Sequence, residues 1–259
     1  MPRFNANLTM LYNEVDFLDR FAAAARDGFK GVEYLFPYPY EMNVLVEHLQ
    51  AHNLNQVLHN LPAGDWAGGD RRSNALRPEQ VGEFQDAVGQ GIEYAKALGC
   101  KMLNCLVGNT PEDLPAQQVR TTLVENLRFA AEAMHKEGIQ LLVEPLNHQD
   151  IPGFHLVHTQ DTLDVLDEVN HPNIWLQYDI YHMQIMEGNL THTIRENLPR
   201  IAHMQLADNP GRNEPGTGEI NYSNLFRFID ETGYDGWIGC EYKPAGRTED
   251  GLGWVKPYL

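Results

Sequence analysis

The segment GIQLLVEPLN, residues 138–147, has the pattern of a buried parallel strand that ends in an acid. A glycine typical of a helix end precedes an apolar run, and Glu144 closes that run. The segment YDGWIGCEYKP, residues 234–244, repeats this order and reaches Glu241 at the corresponding place. Parallel strands are nearly continuously apolar because helices cover one face and a filled core covers the other. The two segments therefore predict β/α units that carry acids at their strand ends.

Similar apolar runs, rich in β-branched and aromatic residues, recur along the whole chain. They give eight candidate strands at residues 3–8, 31–36, 55–60, 102–108, 139–146, 173–180, 201–207 and 237–242. Segments of helical period lie between them, and Gly28, Gly99, Gly138 and Gly233 are placed to end helices before four of the strands. The chain is thus predicted to be an α/β protein, a single (β/α)₈ barrel over residues 1–259 in which each strand is followed by a helix.

A doubly wound open sheet is the alternative architecture. It has less support, because no GxGxxG follows the first strand and no GxxxxGK followed by Ser or Thr occurs anywhere in the chain.

The composition limits the classes of partner. Nineteen Lys and Arg against 36 Asp and Glu give a net charge of −17, which repels nucleic-acid phosphates and anionic lipid surfaces. No apolar stretch has the length of a signal peptide or of a membrane span. The three cysteines show no CxxC spacing and are expected to be small core residues in a reducing compartment. We therefore expect a cytoplasmic protein that binds neither nucleic acid nor membranes.

Four consecutive candidate strands end in side chains that carry oxygen. These are Glu144, Asp179, Gln205 and Glu241. The carboxyl ends of barrel strands converge on one mouth, and buried carboxylates need a counter-charge. Four oxygen ligands with three negative charges suit Mg²⁺, or Mn²⁺, better than zinc. The four residues predict a divalent-metal site, although each acid taken singly is also compatible with a salt bridge or a helix cap.

Four further residues are expected to bind the substrate: His59, His182, Arg212 and Lys243. His182 lies one helical turn beyond the acid of strand six, and Lys243 follows Glu241 closely. Arg212 is the only arginine in the glycine- and proline-rich segment 207–222, and a guanidinium pairs well with a carboxylate. His59 ends strand three and is expected on the opposite wall.

Two alternatives remain open from the sequence alone. Arg212 is equally compatible with an ion pair to Asp208 or Glu214 that orders the loop. His203 shares a strand face with Gln205 but lies deeper, so a core role is expected for it.

The chain resembles the hydroxypyruvate isomerase family, within the xylose-isomerase-like barrels that also include ketose 3-epimerases and endonuclease IV. The resemblance covers essentially the whole chain. It rests on FNANLTMLY near the amino terminus, LHNLPAGDWAGG at 58–69, NCLVG at 104–108, EPLN at 144–147, YDIYHMQ at 178–184, DNPGRNEPGTGEINY at 208–222 and GWIGCEYKP at 236–244.

This resemblance implies an acid/base pair, Glu144 and Glu241, and the same four metal ligands. It also implies that hydroxypyruvate is converted to tartronate semialdehyde through an enediolate. A 2-oxo-tetronate, one carbon longer, is the alternative substrate. Many ketose epimerases of this group carry histidine where Gln205 stands, so the amide departs from the broader group and matches the isomerase branch.

Three rival functions are compatible with the same fold. A ketose 3-epimerase is one of them, although many of those enzymes carry histidine at the position of Gln205. An abasic-site endonuclease would need a basic groove, which the net charge of −17 does not favour. A non-catalytic sugar-acid binding protein would keep Arg212 without needing two metal-linked glutamates. Association into a homo-oligomer is also expected.

Overall fold

A computed structural model describes residues 1–64, 66 and 74–259 of the chain. Eight parallel strands form a closed barrel in sequence order. Their bounds are β1 Arg3–Asn7, β2 Gly31–Glu33, β3 Asn55–Asn60, β4 Met102–Cys105, β5 Gln140–Val143, β6 Ile174–Asp179, β7 Ile201–Leu206 and β8 Trp237–Cys240. The barrel closes because β8 pairs with β1, for example Trp237 with Arg3 and Cys240 with Ala6. The predicted barrel is confirmed, and the open sheet is excluded.

Eight α-helices occur in the described residues: α1 Arg20–Arg26, α2 Met42–Ala51, α3 Val81–Leu98, α4 Ala116–Lys136, α5 Thr159–Val169, α6 Ile180–Met186, α7 Leu190–Asn197 and α8 Tyr222–Glu231. Each strand is followed by a helix as predicted, but the helix after β8 is not an α-helix. A 3₁₀ segment at Thr248–Trp254 follows β8 instead. Two glycines in that heptad, Gly251 and Gly253, disfavour an α-helix.

The helix ends follow local sequence chemistry. Gly99 ends α3 with φ of 68°, a left-handed backbone that glycine adopts without steric cost. Gly28, Gly138 and Gly233, the other predicted helix-ending glycines, also have positive φ. On α4, the apolar residues at helical spacing are buried against the barrel, from Val119 through Leu127 to Met134.

Several strands are shorter than the apolar runs that predicted them. β4 ends at Cys105 and β5 at Val143, although the runs continue to residues 108 and 146. The backbone leaves the sheet at these points, while its side chains remain buried. Glu144 and Glu241 therefore stand directly after their strands, at the rim of the barrel.

The barrel interior differs between its two ends. A small apolar cluster of Val57, Leu58 and Leu142, packed against Trp175 and Trp237, fills one part of it. Buried polar side chains occupy the part nearer the carboxyl ends: Asn5, Asn7, Glu33, Asn60, Asn104, Gln177, His203 and Gln205. Burying amides and acids costs free energy unless each group has a hydrogen-bond partner. The polar lining therefore points to a functional site at the carboxyl end of the barrel and not to a packed core.

The three cysteines are buried and unpaired, as expected of core residues. None of the helices in the described part of the chain is both long enough and apolar enough to cross a membrane.

Candidate active site

A cavity opens at the carboxyl ends of the strands. Its polar lining consists of Asn60, Glu144, Gln177, His182, Gln205, Arg212 and Glu241. Apolar side chains, among them Leu106, Leu146 and Ile151, complete the wall. The cavity thus combines convergent polar groups with an apolar enclosure, the usual construction of a small-molecule site.

Three carboxylates meet beside this cavity, and all of them are buried. Burial raises the pKa of Glu144 well above its ordinary range, and repulsion from Glu241 and Asp179 raises it further. Burial also raises the pKa of Asp179, and it raises the pKa of Glu241 to about 8. Arg212 is shared by Asp179, Glu241 and the nearby Asp150, so full ionisation of these acids and Glu144 leaves the site with an excess of negative charge.

Asp179 shows how one carboxylate serves two purposes. Its Oδ1 caps α6 by accepting hydrogen bonds from the backbone N–H groups of Tyr181 (2.8 Å) and His182 (3.4 Å). Its Oδ2 is buried and has no hydrogen-bond partner among the described residues. The capping alternative is therefore correct for one oxygen only. The second oxygen accepts no hydrogen bond from the described part of the chain, although His182 Nε2 (3.5 Å) and Arg212 Nη2 (3.9 Å) lie near it, and a divalent ion bound there would reduce the negative charge of the site.

The amide of Gln205 lies next to these acids. Its Nε2 donates to Glu33 Oε1 (2.8 Å), and its Oε1 accepts from Gln177 Nε2 (2.7 Å). An amide oxygen has two lone pairs, so Oε1 retains one for a further partner. Glu144 is held on the other side, where its Oε2 accepts from Asn104 Nδ2 (2.8 Å).

Glu144, Asp179 and His182 also place ligand atoms within 4.8 Å of one another, so histidine is a candidate ligand. However, His182 Nδ1 accepts from the backbone N–H (3.1 Å) and from the side-chain Nδ2 (2.7 Å) of Asn147. The amide of Asn147 cannot be reversed without loss, because its Oδ1 accepts the N–H groups two and three residues further on (3.0 and 2.7 Å).

The two donors at Nδ1 favour a neutral His182 with its proton on Nε2, which lies 3.5 Å from Asp179 Oδ2 and 3.5 Å from Arg212 Nη2. Burial lowers the pKa of His182 well below its ordinary range, so the ring is neutral. A protonated Nε2 has no lone pair for a metal. Gln205 Oε1 retains a lone pair for a cation, whereas a protonated His182 Nε2 does not.

Arg212 reaches the site from the loop after β7. Its guanidinium contacts Glu241 Oε2 (3.2 Å) and Asp150 Oδ2 (3.3 Å), and it lies 4.9 Å above the ring of Tyr181. The predicted alternative, an ion pair with Asp208 or Glu214, does not form. Arg212 points instead toward the carboxylates of the cavity, and its Nε–H has no partner in the part of the chain that is described.

Asp208 has a different task in the same loop. Its Oδ1 accepts the N–H groups of Asn209 (3.0 Å) and Ile220 (3.1 Å), and its Oδ2 those of Gly216 (2.8 Å) and Gly218 (2.9 Å). The four hydrogen bonds to this one buried carboxylate hold the loop in a single conformation, and this fixes the backbone position of Arg212.

Two predicted substrate-binding residues do not belong to the cavity lining. His59 is fully buried, and its Nδ1 lies beside the carbonyl oxygen of Asn60 (3.1 Å) and the hydroxyl of Tyr38 (3.4 Å). Burial lowers its pKa to about 4. Successive side chains of a strand alternate in direction, so Asn60 lines the cavity and His59 does not. Lys243 is exposed, and its backbone supports Arg212 through a 2.7 Å hydrogen bond.

Three residues that matter to the site were not singled out from the sequence. Asp150 pairs with Arg212, Asn147 holds His182, and Glu33 accepts from Gln205. Glu33 carried a usable signal, because it is an acid within the apolar run of β2, like the acids of the other strands. Asp150 and Asn147 lie in a polar loop, where the sequence offers no comparable contrast.

The fold has counterparts in known proteins. A family model described as xylose isomerase-like TIM barrel matches residues 21–258. The chain belongs to this family. It is 55% identical over 258 residues to hydroxypyruvate isomerase of Escherichia coli K12, with all of both chains covered. It is 46% identical over 259 residues to 2-oxo-tetronate isomerase of Cupriavidus necator, covering 100% of this chain and 99% of that one.

One solved structure with the same fold is named an endonuclease and not an isomerase. The crystal structure of AP endonuclease, family 2, from Brucella melitensis is 46% identical and has a TM-score of 0.96, covering 100% of this chain and 99% of that one. The resemblance inferred from the sequence is confirmed by these matches. Part of the segment LHNLPAGDWAGG that supported it, residues 65 and 67–69, lies outside the described residues.

Proposed function

We propose that the protein is a metal-dependent isomerase that interconverts hydroxypyruvate and tartronate semialdehyde (2-hydroxy-3-oxopropanoate). The observation that carries this proposal is the convergence of Glu144, Asp179 and Glu241, three buried carboxylates with raised pKa values, beside one arginine. Perturbed acids in a cavity are typical of sites that move protons. The isomerase named among the relatives, at 55% identity, supports the same chemistry.

The metal ligands in this proposal are Glu144, Asp179, Gln205 and Glu241. The Oδ2 of Asp179, which accepts no hydrogen bond among the described residues, and the negative excess of the cluster fit a divalent cation. An all-oxygen donor set favours Mg²⁺, with Mn²⁺ as an effective substitute. When bound, such an ion polarises adjacent carbonyl and hydroxyl oxygens of a substrate and acidifies the C–H bond between them.

The side chains of the protein then carry out the proton transfer. Arg212 binds the substrate carboxylate, for which its planar fork is suited. His182 donates its Nε2 proton to a substrate oxygen. One glutamate of the pair Glu144 and Glu241 takes a proton from C3 of hydroxypyruvate, and a proton is returned to C2 while the C3 hydroxyl proton passes to the C2 oxygen. The product is the isomeric aldehyde, with no net oxidation.

The four-carbon alternative has specific support, because the Cupriavidus relative is named a 2-oxo-tetronate isomerase. Its substrate presents the same carboxylate, ketone and hydroxyl to the site. We rank hydroxypyruvate first because of the higher identity to its isomerase. The name of the Brucella protein, AP endonuclease, suggests DNA cleavage as another alternative function. A net charge of −17 makes this alternative unfavourable, because it opposes the binding of a polyanion such as DNA.

The test begins with protein stripped by a chelator. Hydroxypyruvate is added with and without Mg²⁺ or Mn²⁺, and the formation of tartronate semialdehyde is followed through a coupled reductase. A 2-oxo-tetronate and a DNA duplex with one abasic site are tested in parallel as alternative substrates. We expect turnover of hydroxypyruvate that returns with metal. No turnover of hydroxypyruvate under any metal would refute the assignment, and faster turnover of the tetronate would assign the other substrate.

Two matched variants test whether turnover depends on the carboxylate of Glu241. Glu241→Gln removes a charge from the site with almost no change in shape, and we expect turnover to fall at least about 100-fold while the protein stays folded. Glu137→Gln makes the same change at an exposed position that pairs with Lys96, and we expect full activity. If Glu241→Gln retained wild-type turnover, the proposed catalytic pair would be wrong.

A further inference from the structure

Glu33 is the charged residue at the end of β2, and it lies at the centre of a buried hydrogen-bond network. Only 1% of it is exposed. Its Oε2 accepts from Asn5 Nδ2 (2.8 Å) and His203 Nε2 (2.8 Å). Its Oε1 accepts from Asn7 Nδ2 (3.0 Å) and Gln205 Nε2 (2.8 Å). Four donors from β1 and β7 therefore hold one carboxylate in place.

This arrangement decides which way the amide of Gln205 points. A side-chain amide has a donor end and an acceptor end of nearly equal size, so its shape does not determine its orientation. An ionised carboxylate only accepts, so Nε2 of Gln205 must face Glu33. Its Oε1 then faces Gln177 and the cavity. A reversed amide would bring two oxygens together and direct an N–H₂ group at the proposed metal site.

The neighbouring strand leaves room for this carboxylate. Gly239 on β8 has no side chain, and a Cβ atom there would lie 2.3 Å from Glu33 Oε1 and 2.6 Å from its Cδ. Contacts that short do not occur in folded proteins, so any larger residue at 239 would displace the carboxylate. The hydrogen bond from His203 Nε2 (2.8 Å) holds the other oxygen of the carboxylate in place.

We infer that Glu33 is a positioning residue that orients the Gln205 amide, so that its oxygen and not its nitrogen is offered to the metal. The inference rests on the metal site of the proposed function. Glu33 is not part of the cavity lining, so it acts through Gln205 and not on the substrate. Partners behind a ligand that fix its orientation are a general feature of metal sites.

The donors at one oxygen of Glu33 can become acceptors, whereas those at the other oxygen cannot. This difference makes Glu33→Gln and Glu33→Met a matched pair of variants. On one side, Asn5 Oδ1 and His203 Nδ1 have no hydrogen-bond partner among the described residues, so the Asn5 amide and the His203 tautomer can both reverse. On the other side, Asn7 Oδ1 accepts from the N–H of Thr9 (3.0 Å), so Asn7 remains a donor. In Glu33→Gln, the new carbonyl oxygen should therefore face Asn7 and Gln205, and the new amide nitrogen should face Asn5 and His203.

Mn²⁺ binding to the substrate-free protein is the direct readout, measured by titration with electron paramagnetic resonance. We expect Glu33→Met, which supplies no acceptor, to weaken Mn²⁺ binding about 10- to 100-fold. Glu33→Gln should stay within about threefold of wild type. Asn5→Ala removes one donor to the far oxygen, and it should lower thermal stability while leaving Mn²⁺ affinity within about threefold.

Gly239→Ala provides a second route if Glu33→Met does not fold. It removes no hydrogen-bonding group but displaces the carboxylate, and we expect Mn²⁺ binding at least about tenfold weaker. Wild-type affinity in either Glu33→Met or Gly239→Ala would overturn the inference, as would an equal loss in Glu33→Gln and Glu33→Met. Failure of the wild-type protein to bind Mn²⁺ would instead refute the metal site itself, and the two failures are thus distinct.

Discussion

Replacing Glu241 by glutamine should stabilise the metal-free protein at pH 8 and abolish its activity. Burial raises the pKa of Glu241 from 4.5 to about 8. The charges of Asp179 and Glu33 also raise this pKa, whereas the charge of Arg212 lowers it. The folded state therefore holds this proton more tightly than the unfolded chain does. The stability of the metal-free protein must fall as the pH rises from about 4.5 to about 8. Glutamine resembles the protonated acid at every pH and removes this loss.

The magnitude follows from the displacement of the pKa. A rise from 4.5 to about 8 is about 3.5 units, and one unit corresponds to about 1.4 kcal/mol, so ionisation of Glu241 costs at most about 5 kcal/mol. Relaxation of the site and the lost 3.2 Å contact with Arg212 reduce the gain that glutamine brings. We expect the free energy of unfolding to increase by about 1–3 kcal/mol at pH 8 and to change little at pH 5.

Urea unfolding in the presence of a chelator, at pH 5 and pH 8, measures this difference directly. Glu137→Gln is the matched control and should show no dependence of its effect on pH. Adding Mg²⁺ at pH 8 should stabilise the wild type more than Glu241→Gln, because the variant has lost an anionic ligand. If Glu241→Gln were no more stable than wild type at pH 8 without metal, ionised Glu241 would not destabilise the folded protein. The raised pKa assigned to Glu241 beside Asp179 and Glu144 would then be wrong.

Two further predictions concern the loop after β7. Arg212→Met should raise the KM for hydroxypyruvate about 10- to 100-fold with a smaller effect on kcat, because it removes the cation that binds the substrate carboxylate; steady-state kinetics test this, and an unchanged KM would exclude Arg212 as the anchor. Asp208→Asn should lower the free energy of unfolding by about 1–3 kcal/mol, because either orientation of the amide sets its N–H₂ group against two backbone N–H donors. Urea unfolding measures the loss, limited proteolysis should show cleavage within 207–221, and wild-type resistance in both assays would contradict the role assigned to Asp208.

Much of the architecture could be predicted from local pattern. Apolar runs of strand length, helical periodicity and helix-ending glycines are short-range features, and they specified the eight strands and favoured a closed barrel. The four proposed metal ligands were also accessible, because an acid or amide at the end of an apolar run contrasts with its neighbours. The early ends of β4 and β5 were not accessible, since they depend on how the backbone leaves the sheet. The 3₁₀ segment after β8 did leave a local signal in Gly251 and Gly253, but the prediction did not take it into account.

The sequence by itself determined the eight strands and the set of oxygen donors at the strand ends and favoured a barrel, because these follow from local hydrophobic pattern and residue chemistry. Only the tertiary structure decided which donors face the cavity and which group orients each one. Glu33 reaches Gln205 across 172 positions, and Arg212 reaches Asp150 across 62. His59 and Asn60 are adjacent, yet only Asn60 lines the cavity. The physical reason is that hydrogen bonds and Coulomb forces act over a few ångströms in space, and barrel closure sets those distances independently of separation along the chain.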